Sequence, residues 1–189
     1  LGEVIALRDL QELAGERGFG FLLTLLALPS ALPVPAPGYS VPFGIALLLI
    51  ASQMIAGNEK LWLPMRVRRW AVPTSFASSV LEKGRWLLKR IEVISRPRLL
   101  WLCTGGVGRR LLGCAIALMS ISMMIPIPGT NTLPAFAIFV MGFGLLDDDG
   151  LIASLGLVFA ACGALLTSMI LTLGVEAVKA AIEWLRMQF

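Results

Sequence analysis

The chain has no histidine, a single tyrosine, three cysteines and few charges, with 15% of its residues being Asp, Glu, Lys or Arg. Without histidine there is no imidazole base, no imidazole metal ligand and no proton switch at an ordinary pKa near neutral pH. Cys103, Cys114 and Cys162 are odd in number and widely spaced. That spacing suits neither a metal site nor a disulfide framework, so they read as packing residues. No nucleophile–base pair stands out, and nothing in the sequence calls for a cofactor or a metal, so the chain reads as non-enzymatic. The charge deficit is the most telling shortage, because soluble domains carry about 25% charged residues. What fills the gap is apolar: 57% of the residues are hydrophobic and the mean hydropathy is +0.84. A soluble domain of this size leaves much of its surface in water and has nowhere to put so much apolar area. Lipid resolves the mismatch, and the expected class is an all-α integral membrane protein.

The charges are unevenly placed. Residues 59–110 carry twelve Lys or Arg against three Glu, a surplus of nine, while the rest of the chain sums to minus five. A basic block can mean nucleic acid. Set between two apolar blocks, it instead marks a cytoplasmic face, where short loops are rich in Lys and Arg, and a contact with anionic lipid headgroups. Trp62, Trp70, Trp86 and Trp101 fall in the same block, and Trp favours the headgroup level. Phe76, Val80, Leu87, Ile91 and Ile94 share a helical stripe there, with Lys83, Lys89, Arg90 and Glu92 off it, as in an interfacial amphipathic helix.

Six segments follow from the pattern. Residues 3–16 are expected to form an amphipathic surface helix, with Ala6, Leu7, Leu10, Leu13 and Ala14 opposite Arg8, Asp9, Glu12 and Glu16. Residues 19–56 make a first hairpin, 59–110 the basic interfacial linker, and 111–146 a second hairpin. Residues 151–175 form a full transmembrane helix, and 176–189 an amphipathic tail that extends this span or returns to the interface. The apolar runs of the hairpins are short, at 13 to 15 residues, whereas a bilayer core of about 30 Å needs about 20 helical residues. They therefore read as re-entrant hairpins. Gly156, Gly163 and Ala160 in the long span would let neighbouring helices approach closely.

Each hairpin bends at the same punctuation. Pro35, Pro37 and Gly38 align with Pro126, Pro128 and Gly129 at an offset of 91; after one inserted residue, Ser40, Val41 and Pro42 align with Thr132, Leu133 and Pro134. Proline ends the incoming helix and is accepted in the first turn of the next one. Ser40 and Thr132 are placed to cap the outgoing helices. This is an internal repeat in which irregular backbone lies at membrane depth. Such backbone persists only when buried in protein or lining a cavity, and paired broken helices form transporter sites. Tyr39, Ser40, Thr130, Asn131 and Thr132 are the polar groups at the two tips. They tie the tips together or line a polar route. Asp147, Asp148 and Asp149 precede the long span. An acid cluster can hold a metal, but Asp is also favoured at helix N-termini, and Asp149 is the expected cap. The positive-inside rule puts the N-terminus, linker and Asp cluster in the cytoplasm and the C-terminus outside. A bundle this thin is expected to form a homodimer through the final span or the hairpin tips.

The combination of Glu16-Arg17-Gly18-Phe19-Gly20, Pro35-x-Pro37-Gly38, Pro42-Phe43-Gly44, Trp62-Leu63-Pro64, Pro126-x-Pro128-x-Thr130-Asn131 and Asp149-Gly150 resembles the ExoD family of bacterial membrane proteins, across about residues 5 to 175. Asp148 departs from the resemblance, where an uncharged or basic residue is expected. The resemblance implies a multi-pass inner-membrane protein associated with exopolysaccharide synthesis and with growth at alkaline pH. It carries over no catalytic residues. Two functions follow as expectations: a small channel or transporter with a polar site at the tips, or a non-catalytic scaffold that binds membrane proteins of the polysaccharide machinery.

Overall fold

In the computed structural model the described residues are 4–6, 18–31, 40–58, 61–62, 71–73, 98–125 and 131–188. They form six helices and one small strand pair: β1 (Val4–Ala6), α1 (Gly18–Ala31), α2 (Ser40–Ile55), β2 (Ala71–Pro73), α3 (Leu100–Cys103), α4 (Gly106–Met124), α5 (Thr132–Leu146) and α6 (Gly150–Gln188). The helical class holds. The surface helix expected over 3–16 is corrected at its start, where β1 runs antiparallel to β2 with Ile5 opposite Val72. β-branched Val4, Ile5 and Val72 suit extended backbone. Residues 7–16, and the linker helix expected over 76–94, lie outside the described residues, as do Trp70 and Trp86.

Three boundaries differ from the hydropathy reading. α4 begins at Gly106 instead of 111. Its first turn includes Arg109 and Arg110, which the apolar count had assigned to the linker; long cationic side chains can reach water from a helix end. α3 also forms inside the expected linker. The end of the last span also moves: α6 runs unbroken for 39 residues from Gly150 to Gln188, so the tail extends the span, one of the two courses expected of it. α1, by contrast, matches the first apolar run, and Pro29 sits in its last turn.

The bundle interlocks the two expected hairpins. α1 packs along α5 and α2 along α4, while α1 with α2 and α4 with α5 touch less extensively. α5 is the central helix, buried on nearly every residue from Pro134 to Leu145 between α1 and α6. That explains its lack of a polar face, since a helix apolar all round belongs in an interior. Glycines set the spacing. A Cβ on Gly20 would lie 2.8 Å from the Gly142 carbonyl oxygen and would also meet the Leu146 nitrogen. One on Gly156 would lie 2.5 Å from Met141 Cγ. In lipid, where burial from water gives helices no reason to associate, such close backbone approach supplies the packing attraction. Leu22, Leu47, Ile50, Met54, Leu112, Ile116, Met119, Ile138 and Phe139 are fully enclosed around it.

α4 and the stretch Gly150–Gly174 of α6 are long and apolar enough to cross a membrane, with mean hydropathies of 1.4 and 2.1. α6 turns much of this apolar surface outward, with Leu165 71%, Met169 60% and Val158 58% exposed. Water would not tolerate that band, whereas acyl chains match it.

Candidate functional site

The bundle has two unlike ends. At one end lie the start of α1, the end of α2, the start of α4, and the α5–α6 turn. Gly18 faces Leu61, and Arg109 stacks on Phe19 with its guanidinium 5.1 Å from the ring centre. The Arg109 Nη2 donates to the Asn58 carbonyl at 3.5 Å, and the Gly150 N–H donates to the Arg98 carbonyl at 2.7 Å. Arg98, Arg109, Arg110, Asp147, Asp148 and Asp149 are gathered here. Trp62 and Trp101 are exposed at this end as well.

The arginines meet the C-terminus of α2. That helix closes with Gly57 at φ 81°. The Gly57 N–H returns to the Met54 carbonyl and the Asn58 N–H to the Gln53 carbonyl, the double return of a left-handed helix stop. Arg110 lies against Gly57, with Nη2 3.3 Å from where a Cβ would project. Cations are favoured at this negative end of the helix dipole.

Asp149 is 2% exposed and caps α6. Its Oδ1 accepts from the Leu151 N–H at 2.9 Å and the Ile152 N–H at 3.3 Å. Asp148 stands at φ 56° and Leu99 at φ 50°, a left-handed conformation that Asp adopts more easily than Leu. No sequence signal points to Leu99. Cys103 is buried and its Sγ lies 3.5 Å from the Gly144 carbonyl. Burial pushes the Cys103 thiol up to about 12, with the Asp148 and Asp149 carboxylates adding to the shift. Cys114 and Cys162, read from the sequence as packing residues, are exposed. Among the described residues no group of acids and cysteines is arranged to hold a metal ion.

At the opposite end, α2, α4 and α5 carry no charged residue from 40 to 44, 120 to 125 or 131 to 135. The start of α2 meets the end of α4 here, since a Cβ on Gly44 would lie 2.8 Å from Met124 Cγ and 3.1 Å from the Ser120 carbonyl. The start of α5 meets the middle of α6, with the Pro134 nitrogen 3.8 Å from a Cβ on Gly163. Pro35, Pro37, Gly38 and Tyr39 of the first tip lie outside the described residues, as do Pro126, Pro128, Gly129 and Thr130 of the second. Pro42 and Pro134 each occupy the third position of their helix. Ser40 opens α2. The cap expected from Thr132 is corrected: it lies inside the first turn of α5, and the capping position belongs to Asn131. A residue whose own φ and ψ are helical has passed the point where a side chain caps the helix.

Asn131 does not cap α5 either. Its Oδ1 is buried without a hydrogen-bond partner among the described residues. The contrast with the hydroxyls is sharp. Thr24, Ser52, Thr104, Ser120, Ser154, Ser168 and Thr172 each donate to a carbonyl three or four residues back in the chain, as hydroxyls in helices commonly do. Ser122 and Thr167 pair with each other at 2.7 Å, joining α4 to α6 near the second tip. Sequence reasoning missed this pair. The sequence offered only hydroxyls in both runs, Ser120 and Ser122 in one and Ser154, Thr167, Ser168 and Thr172 in the other, with nothing to match one to another.

A family model described as "Exopolysaccharide synthesis, ExoD" matches residues 2–169. "Uncharacterized protein slr1875" of Synechocystis sp. (strain ATCC 27184 / PCC 6803 / Kazusa) is 44% identical over 192 residues, an alignment covering 100% of this chain and 91% of the relative. "Protein ExoD" of Rhizobium meliloti (strain 1021) is 38% identical over 161 residues, covering 84% of this chain and 67% of the relative. No solved structure matches the chain.

Proposed function

The chain belongs to the ExoD family, which is associated with exopolysaccharide synthesis, and from that premise we propose that it is an inner-membrane protein of exopolysaccharide production whose two helix pairs enter the bilayer tip-first and form a polar site for passage of a small solute or ion. The observation that carries this is Asn131. Among the described residues it presents an unmatched buried acceptor at the end where α5 begins, and a buried polar group without a partner calls for a bound species or an alternative state.

The register of α6 supports tips that stop inside the membrane. From Gly150 to Thr167, which pairs with the last turn of α4, is about 26 Å of helix at ~1.5 Å per residue. The apolar stretch continues to Gly174, about 10 Å further by the same rise. With α6 spanning, the end of α4 and the start of α5 fall in the leaflet farthest from the charged end. On this reading the charged end, with its basic linker, is cytoplasmic.

In a strain lacking the gene, complementation with Asn131→Leu or Thr132→Val is expected to lower exopolysaccharide yield at unchanged protein abundance. The scaffold alternative rests on the basic linker, both of whose described ends, at Trp62 and Arg98, emerge at the charged end. If the tip variants match wild type while neutralising Arg85, Lys89 and Arg90 abolishes production, the polar-site reading is wrong and assembly of the polysaccharide machinery takes its place.

A further inference from the structure

We propose that the outer face of α4 and the adjoining α3 form a seat for one anionic glycerophospholipid of the leaflet at the charged end, with the phosphate at Arg110 and the acyl chains along α4. This rests on the membrane reading above. Of the two neighbouring arginines, Arg109 is committed to Phe19 and the Asn58 carbonyl. Arg110 is exposed, and no carboxylate among the described residues pairs with it. Gly57 leaves room for its guanidinium to lie across the end of α2 instead of folding back along its own helix.

Below Arg110 the helix offers a track for chains. Val107, Leu111, Cys114, Leu118 and Ile121 recur at alternating steps of four and three, and all are exposed. Arg110 lies between the first two members of that stripe and is the one charge on it. α3 is folded tightly against the first turn of α4, since a Cβ on Gly108 would lie 2.5 Å from the Trp101 carbonyl oxygen. This keeps Trp101, 59% exposed, at the end of α4 that carries Arg110, where indole favours the headgroup level. A cation at the head of an uncharged apolar strip matches a phospholipid in charge and in shape. A soluble anion would use the arginine and leave the strip uncovered.

The test is thermal unfolding of the detergent-purified full chain with added dioleoyl phosphatidylglycerol, dioleoyl phosphatidylcholine or inorganic phosphate. Wild type is expected to be stabilised more by phosphatidylglycerol than by phosphatidylcholine. Arg110→Gln is expected to weaken the apparent affinity for phosphatidylglycerol about fivefold, the effect of one cation near an anionic headgroup; Arg110→Lys should keep most of it, and Arg98→Gln should keep all of it. Native mass spectrometry of wild type in a mixture of the two lipids requires no variant, and should show preferential retention of phosphatidylglycerol. Equal retention, an Arg110→Gln protein with wild-type preference, or full stabilisation by inorganic phosphate would each overturn the seat. Loss of stabilisation by every lipid would overturn the membrane reading as well.

Discussion

Replacing Gly20 by alanine tests the interlocked packing more directly than any change at the bundle surface. The added methyl would meet the Leu146 nitrogen, and would lie 2.8 Å from the Gly142 carbonyl oxygen and from the Leu145 carbonyl carbon. All three are backbone atoms of a helix, so none can swing aside. α1 and α5 must separate by roughly half an ångström or more, and overpacking of this kind costs about 1–3 kcal/mol. Gly113→Ala is the matched control. Its methyl would lie 3.0 Å from Met54 Cβ, 3.1 Å from Ile55 Cγ1 and 3.2 Å from the Ala51 carbonyl oxygen, tight contacts that small adjustments relieve. Each substitution also gains about 1 kcal/mol of helix propensity. The net expectation is a loss of about 1 kcal/mol for Gly20→Ala and almost none for Gly113→Ala. In a chain of this size that is a drop of about 2–4 °C for the first, at roughly 2–4 °C per kcal/mol. Thermal unfolding in one detergent, followed by loss of the monodisperse peak in size-exclusion chromatography, measures both. If Gly20→Ala is as stable as Gly113→Ala, the α1–α5 packing described here is wrong.

Two further outcomes are expected at the charged end. Asp149→Ala removes the acceptor for the Leu151 and Ile152 N–H groups and should cost about 1 kcal/mol; Asp149→Asn should retain most of it, as read by the same unfolding assay. In a Cys114→Ser, Cys162→Ser background, maleimide labelling of Cys103 should stay slow through pH 9 and accelerate only as pH approaches about 12. The fold binds this proton more tightly than the unfolded chain does. Its contribution to stability is therefore fully present below pH 9.0 and lost as pH rises towards about 12. Rapid labelling at pH 8 would show that the thiol is not buried against Gly144.

The sequence by itself determined the solvent, the helical class and the places where helices stop. Those properties are local: apolar content, the length of each run, and proline chemistry at 29–42 and 126–134 act on the residues beside them. It also marked Asp149, because a cap is set by a residue's immediate neighbours, and it pointed to Asn131 as a polar group in an apolar stretch. What Asn131 does there was not legible, because a missing hydrogen-bond partner is a property of everything packed around it. Only the tertiary structure decided that α1 lies on α5 and α2 on α4, that Ser122 meets Thr167 across 45 residues of chain, and that Arg109 is spent on Phe19 while Arg110 is free at the surface. Uniformly apolar helices carry no facing pattern that names their partner. The choice falls to glycine-sized gaps and single polar contacts, which exist only once two helices have come within reach of each other.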